Sequence, residues 1–262
     1  MIEARALSKS YGAVTALSNV SFGANSGEVI AIVGDNGAGK STLLKVLSGA
    51  IRHDAGDLLI DGQLADFRSP RDAERAGVET VYQDLALINT LEVASNIYLG
   101  RERRRRGILG KIGFVDHGAM RREGREALRT YLGVDFPNMV RTVEMLSGGQ
   151  RQAVAIARAA TRLQASGPGA ILLDEPTAAL GVAQRRRVDD LVERLAQSGH
   201  LVVVVSHDLP AVFQFAHRIL VMRLGRLVTE VRPADSDLQT LVGLITGAID
   251  PAEAAPTPEE AR

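Results

Sequence analysis

Cysteine is absent from the 262 residues, which excludes disulfides, thiolate catalysis and cysteine-ligated metal. A cysteine-free chain fits a reducing cytosol. Net charge is also missing: 31 basic residues balance 31 acidic ones, so no overall field draws in nucleic acid or an anionic membrane. The N-terminal "MIEARALSKSY" holds no signal-peptide hydrophobic core. No apolar run approaches the roughly 20 residues that a membrane-spanning helix needs. Any membrane role is therefore expected to go through a partner.

Apolar residues are plentiful, at 45% of the chain, enough to bury a core in one large domain or a domain with a subdomain. Three short β-branched or aliphatic runs read as strands buried on both faces: "VIAIV" (29–33), "AILLD" (170–174) and "LVVVV" (201–205). "GVETVY" (77–82) is a weaker strand. Helical patterns lie between them, so the fold class is α/β with a mostly parallel sheet and crossover helices. "IEARALSKSY", "ALSNVSFGA" and "RILVMRLGRLVTEV" alternate polar and apolar residues and read as antiparallel strands added to that core. Residues 85–160 read as a helical subdomain within a domain spanning 1–247. "TRLQASGPGA" reads as an exposed loop, and the Pro-, Ala- and Glu-rich tail 248–262 as disordered.

"GDNGAGKS" fits G-x-x-x-x-G-K-[ST], the phosphate-binding loop, and it directly follows a buried strand. Gly34, Gly37 and Gly39 let backbone N–H groups converge on an anion, with Asn36 and Ala38 completing the loop. The helix beginning near Gly39 adds its positive end. Lys40 reaches the β- and γ-phosphates, Ser41 offers a hydroxyl to Mg²⁺, and Thr42 follows it into the helix. "AILLDEP" supplies the carboxylates: Asp174 for the metal and Glu175, one residue on, to polarise the attacking water. "LSGGQRQAVAIARA" places Ser147 as a helix N-cap with Gly148 and Gly149 in the first turn, a second helix start suited to an anion.

These motifs in this order, with a histidine after the next strand, resemble the ATPase subunit of an ATP-binding cassette (ABC) transporter. The resemblance covers about residues 1–245. It implies a P-loop NTPase fold, ATP and Mg²⁺ as ligands, and a head-to-tail dimer. ATP would then lie between the phosphate loop of one protomer and Ser147, Gly148, Gly149 and Gln150 of the other. It further implies that Tyr11 stacks on adenine, that Gln83 touches Mg²⁺ and the attacking water, and that His207 contacts the γ-phosphate. A transmembrane permease is the implied partner, on the cytoplasmic face of a bacterial membrane, with no nucleic acid.

One departure stands out. After "DEPT" the family has a turn ending in Asp that crosses the dimer interface; this chain reads "AALG", with Gly181. "FRSPRDAERAGVETVYQDLAL", "NIYLGRE" and "PTAALGV" resemble ATPases of monosaccharide importers of the ribose, xylose and fructose type. An extracytoplasmic sugar-binding protein would then act upstream. With one cassette present, the second ATPase subunit is an identical copy or another single cassette. The alternatives are a different import substrate, an exporter motor, or a soluble ABC ATPase working on nucleic acid or the ribosome. The arginine run "RERRRRG" (101–107) reads as a solvated loop.

Overall fold

The computed structural model describes residues 1–136, 138–177 and 180–250. In chain order the strands are β1 (Ile2–Tyr11), β2 (Val14–Ala24), β3 (Val29–Val33), β4 (Ala55–Ile60), β5 (Gln63–Leu64), β6 (Val78–Val81), β7 (Ala170–Asp174), β8 (Leu201–Val205), β9 (Arg218–Arg223) and β10 (Arg226–Val231). The helices are α1 (Lys40–Leu47), α2 (Pro70–Arg75), α3 (Val93–Ile97), α4 (Ile108–Lys111), α5 (His117–Leu132), α6 (Gly148–Ser166), α7 (Val182–Gln197), α8 (Leu209–Phe215) and α9 (Leu238–Thr246). They divide into two compact units: 1–80, 168–175 and 192 onward in the first, 81–167 and 176–191 in the second.

The first unit holds the sheets. One is six-stranded, in the order β10-β9-β3-β8-β7-β6. Its centre is parallel: β3 pairs with β8 and β9, and β8 with β7. All five residues of each of β3, β7 and β8 are buried, as uninterrupted aliphatic runs require when both faces are covered. The other sheet is four-stranded and antiparallel, in the order β2-β1-β4-β5. The two N-terminal alternating segments fall in this sheet as antiparallel strands. The third, at the C-terminal end, behaves differently. β9 runs parallel to β3, and only its pairing with β10 is antiparallel. Sequence reading also left out β4 and β5, which complete the N-terminal sheet.

The second unit is helical, with α3, α5 and α6 packed on one another. Ile97, Met120, Leu128, Leu132, Val154 and Leu163 form its apolar interior. Asn96 is fully buried there. Its carboxamide accepts from the Ile88 N–H (2.8 Å) and donates to the carbonyls of Ile88 and Leu91 (3.0 and 3.2 Å), fixing the turn before α3. The expected loop "TRLQASGPGA" is corrected: α6 continues through Ser166, Leu163 is buried, and only residues 167–169 connect it to β7. Near the C-terminus the Ile249 N–H donates to the Gly243 carbonyl (3.1 Å), folding the chain back on α9. The tail from 251 lies outside the described residues.

Candidate functional site

Three neighbouring strands of the parallel sheet carry the candidate residues at or just past their C-terminal ends. The register puts Ile32 of β3 level with Val205 of β8, and Val205 level with Asp174 of β7. The phosphate loop leaves β3 at Gly34, His207 follows β8, and Glu175 follows β7, so all three emerge from one row. Ligands of open α/β sheets bind at this edge.

The loop geometry fits a phosphate chain. Gly34, Gly37 and Gly39 have φ of +149°, +81° and +101°, a region that side chains rarely adopt. A Cβ on Gly34 would come within 2.2 Å of the Met222 carbonyl oxygen, and one on Gly39 within 2.6 Å of that of Ala16. A Cβ on Gly37 would meet nothing within 4 Å, so this side of the loop is open. Asn36 is exposed, Ala38 buried and Thr42 half-buried. Helix α1 starts from left-handed Gly39 with no side chain capping it. Lys40 is 5% exposed, and its Nζ donates to the carbonyls of Gly34 (2.7 Å) and Asp35 (2.8 Å). Burial lowers its pKa, opposed by the charges of Glu175, Asp35 and Asp174.

Asp174 is buried at the end of β7. Desolvation, and after it the neighbouring charge of Glu175, pushes its pKa above the ordinary value. Glu175 has φ +49°, an uncommon conformation for a residue with a side chain, and its N–H donates to the Val205 carbonyl (2.9 Å). His207 Nε2 lies 2.6 Å from Glu175 Oε1. The turn carrying His207 is held on either side: the Asp208 N–H donates to Ser206 Oγ, and the Asp208 carboxylate caps α8. Ser41 is exposed on the first turn of α1. Asp174 and Ser41 are hard oxygen donors that suit Mg²⁺, a cation usually held by one or two carboxylates plus substrate phosphates. Among the described residues no cluster of three or more His, Asp or Glu forms a metal cage. Such a site would need the phosphates to complete it. Tyr11, 48% exposed at the end of β1, has the Lys9 ammonium 5.7 Å from its ring centroid.

The remaining expected residues fall in the second unit. Gln83 is exposed, two residues past β6. Ser147 caps α6 in a full capping box: its Oγ accepts from the Gln150 N–H (3.3 Å), and Gln150 Oε1 accepts from the Ser147 N–H (3.0 Å). Gly148 and Gly149 follow as the first helical residues. A Cβ on Gly149 would press to 2.9 Å against the Gln184 side chain, whose Oε1 accepts from the Gly181 N–H (3.1 Å). Gly181 just precedes α7. A Cβ there would make only an ordinary 3.7 Å contact with Gln184 Oε1. Residues 178 and 179 of this turn lie outside the described residues.

Arg158 was not singled out as a site residue by sequence reasoning. It is buried on α6, and its guanidinium donates to the carbonyls of Leu85 (2.9 Å) and Ala86 (2.8 Å). Those two residues have φ of +61° and +44°, so the arginine holds a strained turn directly after Gln83.

Residues 17–178 match the family described as ABC transporter. The chain belongs to the ABC transporter family. It is 45% identical over 252 residues to the fructose import ATP-binding protein of Rhizobium meliloti, covering 96% of this chain and 95% of that one. Against the xylose/arabinose import ATP-binding protein of Sulfolobus acidocaldarius it is 41% identical over 246 residues, covering 94% of each. It matches the ribose import ATP-binding protein of Chromobacterium violaceum at 41% identity over 93% of this chain but only 46% of that one, so it spans about half of that relative. Among solved structures, a dimeric bacterial ABC transporter cassette superposes with a TM-score of 0.76 at 28% identity, covering 89% of this chain and 99% of that one. A dimeric cassette in a post-hydrolysis state bound to ADP and phosphate gives 0.75 at 27% identity, with the same coverage. The expected P-loop NTPase architecture, with its mostly parallel core, antiparallel N-terminal sheet and helical part, is the one observed.

Proposed function

We propose that this chain is the ATP-hydrolysing subunit of a membrane importer for a monosaccharide. The observation that carries the chemistry is the row of strand ends, where Lys40, Asp174 and the Glu175–His207 pair emerge side by side. The names of the fructose, xylose/arabinose and ribose import relatives support the sugar and the direction.

In this reading the N–H groups of Gly34–Thr42 cradle the phosphates, with Lys40 exchanging its two loop carbonyls for the β- and γ-phosphate oxygens. Ser41 and Asp174 would hold Mg²⁺, with Gln83 as the further ligand that the family resemblance implies, and the ion would neutralise charge on the phosphates. Glu175 accepts the proton of the attacking water. His207 orients that carboxylate through the 2.6 Å contact and reaches the γ-phosphate from the same turn. Tyr11 stacks on the adenine. A second ATPase subunit, identical or paired, presents Ser147, Gly148, Gly149 and Gln150 to the same γ-phosphate. A permease transmits the cycle at the cytoplasmic face of a bacterial membrane, and an extracytoplasmic binding protein delivers the sugar.

The test is uptake of labelled fructose, xylose and ribose by cells with and without this chain, beside phosphate release from MgATP by the purified protein. Loss of uptake of one sugar together with Mg²⁺-dependent phosphate release supports the reading. Unchanged uptake of all three removes the monosaccharide assignment.

A further inference from the structure

The arginine run is the exposed loop expected, and it is an ordered one. Arg104 pairs with Val115 in an antiparallel bridge, the Arg105 N–H donates to the Phe114 carbonyl (2.9 Å), and the Asp116 N–H donates to the Arg103 carbonyl (2.6 Å). These bonds close a hairpin whose tip is the single turn α4. The tip is tightly built: a Cβ on Gly110 would fall 1.7 Å from the Arg105 carbonyl oxygen. Yet this packing is made by backbone, and the large apolar side chains are left outside. Ile108, Leu109, Ile112 and Phe114 are 78, 44, 65 and 54% exposed. Single exposed apolar residues are ordinary; four within seven residues on an ordered tip form a patch that calls for a cover.

The charge beside the patch says what covers it. Residues 101–111 carry six basic side chains against one acid, Glu102, in a chain whose net charge is zero. The nearby acids are already engaged. Glu102 accepts from the Gly100 N–H, Glu123 pairs with Arg103 (2.8 Å), and Asp116 caps α5. Arg104, Arg105 and Arg106 are exposed and form no ion pair with any described acid. Guanidinium groups flanking protruding aliphatic and aromatic side chains match an interface with anionic headgroups above and acyl chains below.

We infer that the hairpin 101–116 is a contact element for an anionic bilayer surface, with Arg104, Arg105 and Arg106 on the headgroups and Ile108, Ile112 and Phe114 in the acyl boundary. It extends the proposed membrane setting, but it is read without ATP, sugar or permease. Its failure is therefore separable from failure of the ATPase reading.

The experiment is flotation of the purified full chain with phosphatidylglycerol or phosphatidylcholine vesicles. The expected result is retention on phosphatidylglycerol alone, weakening as salt shortens the screening length. The triple change Arg104→Glu, Arg105→Glu, Arg106→Glu should lower vesicle affinity at least ~10-fold. The pair Ile108→Ser, Ile112→Ser should weaken retention that survives high salt. Both variants should keep basal phosphate release, which also certifies their folding. No retention of the wild-type chain on phosphatidylglycerol, or retention unchanged by the triple variant, overturns the proposal. So does loss of a detergent-solubilised permease complex in variants of a chain that never binds vesicles, since the patch would then be a protein contact.

Discussion

Two helix starts in this chain carry glycines and polar residues suited to an anion, and they are built in opposite ways. Helix α1 begins at left-handed Gly39 with no capping side chain, and the buried Lys40 is folded back on its own loop carbonyls. Helix α6 begins at exposed Ser147 with both halves of a capping box closed by Gln150. The first leaves its orphan N–H groups for an external acceptor. The second already satisfies two of them internally. An anion at α1 therefore fills a prepared site, whereas an anion at α6 must arrive beside a helix that is stable without it. The α1 start is expected to govern whether nucleotide binds, and the α6 start to govern what binding then does.

The sharpest way to break that division is Lys40→Ala. The loop has no second basic residue. Phosphate release should fall at least ~100-fold, the scale for losing a preorganised charge contact to the reacting group. An ATPase assay near the wild-type rate would remove the loop from the chemistry.

Asp174→Asn should separate activity from stability. Burial beside Glu175 raises the Asp174 pKa, so its ionised form costs the folded chain stability. That cost is absent at low pH, where the carboxyl is protonated folded or unfolded. It appears as pH rises through the ordinary carboxylate pKa and on past the raised one. At neutral pH, Asn should therefore raise the Tm of the nucleotide-free protein by about 1–4 °C while abolishing Mg²⁺-dependent hydrolysis. Calorimetry beside the ATPase assay checks both, and a lowered Tm would mean that the ionised carboxylate is net stabilising.

Ser147→Ala tests the self-capped helix. Loss of the cap should cost about 1 kcal/mol in denaturant unfolding. Affinity for ATP by the isolated chain should change less than about twofold, because α1 alone supplies that binding. A large drop in affinity would place α6 on the same footing as α1.

The smallest effect expected is from Gly181→Asp. The added side chain has room, and Asp is a better residue than Gly before a helix by a few tenths of a kcal/mol. Stability should hold or rise slightly and ATP affinity should stay put, with any change confined to the permease-stimulated rate. A tenfold loss of affinity would contradict the position assigned to this turn.

How legible these features were in the sequence follows the same divide. β3, β7 and β8 were readable to the residue because strands buried on both faces must be continuous aliphatic runs. The phosphate loop was readable because only glycine tolerates its φ values and the 2.2 Å approach of the Met222 carbonyl. The cap at Ser147 was readable too, though not its closure by Gln150. What escaped was set by partners far along the chain. β4 joins a sheet through β1, Arg158 holds carbonyls more than seventy residues earlier, and α6 runs on through Ser166 because Leu163 finds a buried place. The Glu175–His207 contact likewise depends on β7 and β8 being neighbours, which no local pattern states.

The most direct test of the two-start account uses Glu175→Gln. This variant keeps shape and a hydrogen bond but cannot take a proton, so hydrolysis should slow by about 10²–10⁴-fold while MgATP still binds. With ATP held at α1 of each protomer and α6 of the other closing on it, light scattering should show monomers without nucleotide and dimers with MgATP. Adding Ser147→Arg should return them to monomers without loss of ATP binding. A Glu175→Gln protein that binds MgATP yet stays monomeric at high concentration would contradict the account.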